Sequence, residues 1–377
     1  LRISGLPRRP LAGKVSGGGS VLERSLAPSN MGKSPVRTGG GHAAAKVVLP
    51  AVAIAIGVHS GPAVLATLCA GFLWNLLYVR YFAPLYDRKA RLKFVALSWC
   101  RDIIVVAVRY FIVCNGHHGS PLAWLFLLPL GVFETHTTQW LADWYERRPM
   151  KHITAHQVLK QIPVACTEAF GLSIGFRVFN MAPGGPSPAA LLDVVWRAPL
   201  FDVGLDLGFY TLHRTCHKNK KLYRWIHAEH HTDVAKEYGI LVAHETYSIS
   251  TIEALSILAS YLIGFELIGA VKPYTLFDMA CLVSWAHTVE LLGHTELTWS
   301  PSGHPMRIVA ETLHLEMKAT EHTVHHSKPL TNFSKRLTLF DRLFGTYEPP
   351  PPAASKQANS WEAACERMSR RLGGAAG

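Results

Sequence analysis

The stretch His213-Arg-Thr-Cys-His217, followed after nine residues by His227-Ala-Glu-His-His231, packs five imidazoles into nineteen positions. A third cluster, His322-Thr-Val-His-His326, repeats the spacing of the second. Residues three and four apart on a helix are neighbours, so each cluster reads as a helical segment that presents imidazoles on one face. Eight imidazoles are more than one first-row ion takes, and two ions sharing them would keep positions open for a substrate or for oxygen. Imidazole suits iron, zinc, copper and nickel alike. The HExxH pattern of zinc proteases is absent.

Around these clusters the composition is that of a membrane protein. Of 377 residues 49% are hydrophobic and only 17% charged, and mean hydropathy is +0.15. Apolar runs cover 47–81, 94–114, 122–133, 162–179, 249–271 and 276–292. About 20 residues span a bilayer, which predicts four to six membrane helices. Arg101 and Asp102 interrupt the second run, so that helix should face protein rather than lipid. The net charge of +12 sits beside the apolar runs and suits anionic headgroups; no nucleic-acid motif accompanies it. Seven scattered Cys without a CxxC pair read as reduced packing residues, Cys216 included.

The fold expected is therefore all-α: a polytopic membrane helical bundle with a cytosolic, His-rich dimetal cap. Residues 1–46, basic and rich in Gly, Ser and Pro, form a disordered segment without a clear amphipathic transit face. Residues 47–195 form a transmembrane helical region, 196–347 a catalytic domain with a membrane hairpin at about 249–292, and 348–377 a Pro-rich tail. Two apolar runs separate the second and third clusters, so the chain crosses twice and returns to the same side, as a shared site requires. Lys218, Lys220, Lys221, Arg224, Lys328, Lys335 and Arg336 surround the clusters, which puts that face in the cytosol.

Other residues cluster near the same place. His287, Glu290 and His294 share a helix face, so Glu290 is a candidate to orient an imidazole. Asp206, Tyr210 and His213 lie on one stripe; Asp206 either holds an imidazole N–H or pairs with a Lys or Arg. His117, His118, His136, His304 and His314 lack partners at ligand spacing and read as surface or packing residues.

DLGFYTLHRTCH from Asp206, KLYRWIHAEHH from Lys221 and NFSKRLTLFDRLFGTY from Asn332 resemble the fatty acid hydroxylase superfamily, which includes sterol desaturases, sterol methyl oxidases and sphingoid hydroxylases. The likeness runs from about Asp202 to Tyr347. It implies an O2-dependent oxidoreductase of the endoplasmic reticulum membrane, with two iron ions and its site facing the cytosol. Such an enzyme would hydroxylate or desaturate a membrane lipid with electrons from a cytochrome b5-type or other reductase in trans. A sterol is weakly favoured over a sphingoid or fatty acyl substrate. The same resemblance adds His294 to the ligands His213, His217, His227, His230, His231, His322, His325 and His326 and offers His244 as a further candidate; His287, on the helix face of His294, is another. The segment after the third cluster would lid or brace the site.

A membrane metal transporter would string His along several helices at different depths. A bis-His haem electron carrier would need single facing His on paired helices. The clustering favours neither. His230→Ala or His325→Ala is expected to abolish turnover and lower bound metal, whereas His304→Ala leaves both intact, as elemental analysis and a turnover assay of the purified variants would show.

Overall fold

The computed structural model describes residues 88–351 apart from 180, 234–240 and 298–305, all within one compact unit, Ala45–Gly377. The expected N-terminal segment, the first apolar run, most of the C-terminal tail and His304 lie outside the described residues. Every regular element described is helical; strand pairing is limited to two isolated bridges, Met181 with Tyr274 and Glu316 with Leu337.

Helix α1 (Arg88–His117) leads through a 3₁₀ segment (Pro121–Phe126) into α2 (Leu127–Tyr145) and then α3 (Ala155–Val178). Thr154 opens α3 with a capping box, its hydroxyl accepting the Gln157 N–H while the Gln157 side chain returns to the Thr154 N–H. Helix α4 (Pro188–Lys218) starts at Ser187, whose Oγ accepts the Ala190 N–H, and carries the first His cluster in its last turns. Asn219 closes α4 and caps the short α5 (Lys220–Leu222). A π turn (Tyr223–His227) and α6 (Ala228–Asp233) carry the second cluster. Helices α7 (Thr251–Gly269) and α8 (Leu276–Gly293) run out and back, a hairpin joined at residues 270–275 whose open ends both reach the His clusters. The short α9 (Ile308–Thr312), α10 (Ala319–Ser327) with the third cluster, and α11 (Leu339–Leu343) complete the fold.

The main core lies where α3, α4, α7 and α8 meet, around Phe201, Leu205, Phe265, Ile268, Tyr274 and Phe277. Glycines let α4 and α7 approach backbone to backbone. A Cβ on Gly204 would meet the Gly264 Cα at 2.8 Å, and one on Gly264 would meet the Phe201 carbonyl oxygen at 2.9 Å. Thr251–Gly269, about 28 Å long, is the one helix among the described residues long and apolar enough to cross a membrane.

Helices α1, α2, α3 and α8 also meet through buried charges. Arg109 of α1 is fully covered and donates to both Glu134 oxygens of α2 (3.0 and 2.9 Å), Glu168 of α3 (3.0 Å) and Ser284 of α8 (2.8 Å). Arg101 binds Asp102, Thr138 of α2 and Thr288 of α8, so α1 faces protein there as its sequence predicts. Each ion is paired because an unpaired buried charge costs several kcal/mol (about 3–5). The α4–α7 contact yields a test: Gly264→Ala should lower stability by ~1–3 kcal/mol through overpacking, outweighing the roughly 1 kcal/mol that Ala gains in helix propensity, as read by thermal unfolding in detergent.

Candidate metal centre

Nine imidazoles converge in two groups. His213, His217, His227, His231 and His325 form one; His230, His294, His322 and His326 form the other; within each, the candidate ligand atoms lie within 4.8 Å of one another. Helix geometry explains the division. Positions i and i+4 differ by about 40° around a helix and i and i+3 by about 60° the other way, so an HxxHH segment splits its imidazoles between two directions. His227 and His231 enter the first group while His230 enters the second. On α10 the roles reverse: His322 and His326 enter the second group and His325 the first.

The ring nitrogens face one another at close range. His213 Nε2 lies 2.9 Å from His227 Nε2, His325 Nε2 lies 3.2 Å from His231 Nε2, and His322 Nε2 lies 3.2 Å from His294 Nε2. The opposite edge of four rings is committed to an acceptor. His213 Nδ1 donates to the Phe333 carbonyl (2.7 Å), His227 Nδ1 to Glu253 Oε1 (2.6 Å), His325 Nδ1 to the Thr331 carbonyl (2.8 Å) and His294 Nδ1 to the Glu290 carbonyl (3.0 Å). Carbonyl and carboxylate oxygens can only accept, so these rings carry their proton on Nδ1 and present bare Nε2 lone pairs to the shared space. Burial, reinforced by neighbouring imidazoles, lowers the pKa of His217 to about 3; burial lowers that of His231 to about 4; and burial with the nearby Lys335 lowers that of His294 to about 3. The rings are neutral near pH 7. Converging neutral lone pairs repel each other until a cation lies between them, so the donor set fits two transition-metal ions.

A brace holds the arrangement. Five successive backbone N–H groups are gripped by two aspartates. Asp341 accepts from Phe333 and Ser334 (both 2.8 Å), and Asp206 accepts from Lys335 (3.0 Å), Arg336 (3.0 and 3.1 Å) and Leu337 (2.6 Å). Asn332 takes the left-handed conformation (φ 50°), which Asn tolerates better than most residues. Its amide donates to the Glu321 and Glu348 carbonyls. The Phe333 carbonyl is thereby aimed at His213, and the segment after the third cluster braces the site.

Several expected roles are corrected. Asp206 orients no imidazole; buried beneath the 335–337 backbone, it holds that segment instead. Tyr210 reaches Thr346 Oγ1 at 3.1 Å and stacks on Phe344, so it supports the brace. The Glu290 carboxylate pairs with Lys335 at 3.0 Å, and only its backbone carbonyl orients His294. His244 lies outside both groups, stacked on His136 with ring centroids 5.7 Å apart. His287 also lies outside them, bonded to the Tyr247 hydroxyl at 3.0 Å and 3.6 Å from Glu168. Cys216 is buried and belongs to neither group. The sequence reading missed Glu253 and Lys335. Glu253 had a signal: a carboxylate three residues after Ser250 at the start of an apolar run is a helix cap, and Ser250 Oγ does accept the Glu253 N–H at 3.1 Å. Lys335 had none, because its burial depends on the Asp206 clamp.

Beside the imidazoles opens a cavity with about 1030 Å³ of empty space, its mouth included. His213, His227, His230 and His322 line one end, while Gly175, Phe179, Leu262, Phe265 and Met279 line apolar wall between α3, α7 and α8. Lining residues on α7 run from Glu253 to Phe265, about 18 Å along the helix. Glu168, Tyr247 and His287 form a polar patch in the wall.

Residues 198–346 match the family model described as fatty acid hydroxylase. Over that stretch the chain is similar to fatty acid hydroxylases. The ornithine lipid hydroxylase OlsE of Rhizobium tropici is 30% identical to it over 154 residues, 40% of this chain and 41% of that protein. A cholesterol 25-hydroxylase-like protein of Danio rerio is 29% identical over 41% of this chain and 57% of its own length. The very-long-chain aldehyde decarbonylase GL1-1 of Oryza sativa subsp. indica is 26% identical over 47% of this chain and 25% of its own. The chain thus spans from a quarter to just over half of the curated relatives named here. No solved structure matches. The matched stretch contains all nine clustered His, both clamping aspartates and the α7–α8 hairpin.

Replacing Asp206 by Ala would leave the N–H groups of 335–337 buried without an acceptor. The expected loss is ~3 kcal/mol or more, seen as a lower melting temperature and faster proteolysis within 333–347. Asp206→Asn, which retains a carbonyl acceptor, should recover part of it.

Proposed function

We propose that the chain is a multi-pass membrane oxidoreductase that uses O2 and two external electrons to hydroxylate or desaturate a lipid. The observation that carries this reading is that the two imidazole groups open onto the head of a mainly apolar cavity, which His213, His227, His230 and His322 line. His213, His217, His227, His231 and His325 are assigned to one ion, and His230, His294, His322 and His326 to the other. Iron bound there would supply oxygen activation and the oxidising power to break an unactivated C–H bond.

The chain's own part is positioning. Phe333, Thr331, Glu290 and Glu253 hold four imidazoles in the Nδ1–H tautomer and keep each Nε2 aimed inward. The walls of α3, α7 and α8 exclude water and seat an apolar body, its inner end against Phe179 and Phe265 and the carbon to be oxidised beside the imidazoles. Glu168, Tyr247 and His287 offer hydrogen bonds to a polar group of an amphiphile. The α7–α8 hairpin supplies a membrane path with both ends on one face, and the basic residues around the clusters suit the cytosolic side of the endoplasmic reticulum membrane. From that side a cytochrome b5-type or other reductase would deliver electrons.

Two of the relatives are named hydroxylases, which supports hydroxylation over desaturation. A sterol remains the favoured substrate, supported by the cholesterol 25-hydroxylase-like relative. The ornithine lipid hydroxylase supports the alternative, an acyl-chain or sphingoid lipid. Metal analysis of protein purified in mild detergent, with lipid profiles of cells expressing wild type or His230→Ala, tests the proposal. Expected are about two irons per chain, no haem absorption band, and a lipid that gains oxygen or loses two hydrogens only with the wild type. A haem spectrum, or identical lipid profiles, would overturn it.

A further inference from the structure

Lys335 is a cation placed among groups that themselves await one. Its ammonium lies 3.0 Å from His322 Nε2 and 3.5 Å from His294 Nε2, inside the four-imidazole group, and pairs with Glu290 Oε1 at 3.0 Å. The side chain is 3% exposed, so bulk water does not screen it. An ammonium N–H directed at His322 Nε2 occupies the lone pair that an ion would use. Its charge also opposes a dication in a medium where Coulomb forces are poorly screened. In the five-imidazole group the corresponding contact is with a carboxyl: Glu253 is bonded to His227 Nδ1 at 2.6 Å and orients that ring. The two groups therefore differ in ligand number, five against four, and in that an ammonium touches ring nitrogens of the smaller one.

We propose that Lys335 makes the four-imidazole group the weaker and later-filled of the two ion sites, its ammonium yielding to the second ion by withdrawing onto Glu290. This rests on reading the imidazole groups as ion sites. At limiting metal the protein holds one ion, in the group of His213, His217, His227, His231 and His325. Completion of the pair then follows metal supply, and Lys335 sets the concentration at which it occurs.

The test is a cobalt(II) titration of the metal-free full chain in detergent, followed by visible absorption and by equilibrium dialysis. Wild type should bind in two steps at least tenfold apart in affinity. His326→Ala should remove the weaker step alone, which assigns it. Lys335→Gln should tighten the weaker step at least tenfold and leave the tighter one in place, whereas Lys335→Arg, which keeps the charge, should preserve the separation. Should Lys335→Gln fold poorly with Glu290 left unpaired, the double variant Lys335→Met with Glu290→Gln removes both charges and gives the same readout. Two equal steps in wild type, or a weaker step unmoved by loss of the charge, would overturn the proposal while the ion sites stand. Absence of cobalt binding by wild type would overturn the ion-site reading and this proposal with it.

Discussion

Mutual repulsion among inward-pointing imidazole lone pairs is the constraint on which the rest of the molecule depends. Nine neutral rings crowd into two small volumes only against that repulsion, and the fold holds four of them from behind with groups drawn from several elements. A carbonyl of the 331–333 turn holds each of two rings, a carboxylate at the start of α7 holds a third, and a carbonyl in the last turn of α8 holds a fourth. The hairpin therefore does more than return the chain to one face. Its two ends orient rings of different groups, coupling both helices to the site.

The brace shows how few residues secure that coupling. Asp206, in the middle of α4, and Asp341, at the start of α11, together accept five consecutive N–H groups. Because Asp206 lies two helical turns before His213, the helix that donates the first cluster also anchors the loop that orients it. The close approach of α4 to α7 through Gly204 and Gly264 fixes the depth of the cavity wall relative to the imidazoles. Burial serves chemistry here as well as stability. It keeps the rings neutral, and it turns Lys335 and Glu290 into local charges that water does not mask.

Much of the site was legible in the chain. His213, His217, His227, His230, His231, His322, His325 and His326 declare themselves by helical spacing, and the hairpin by two apolar runs with a Lys-Pro turn. Membership of His294 came from resemblance alone. The partners of Asp206, Tyr210 and Glu290 were not legible, because stripe arguments say which residues share a face, not what that face meets. The charges inside the apolar runs were legible as interruptions, but Arg109 meeting Glu134 and Glu168 required three helices to be packed together.

By itself the sequence determined the helical spacing that sets the imidazoles of each cluster on one side of a helix, since 3.6 residues per turn is a local property of the backbone; that each HxxHH segment divides between two groups was seen only in the fold. It also determined that the hairpin returns to its starting face, because two apolar runs joined by a short polar turn have one economical arrangement. Only the tertiary structure decided which imidazoles share a group, which carbonyls and carboxylates stand behind them, and that Lys335 enters the smaller group. These are contacts between residues far apart in the chain, 120 positions for His213 and Phe333, and their geometry follows from how helices pack, which no local pattern encodes.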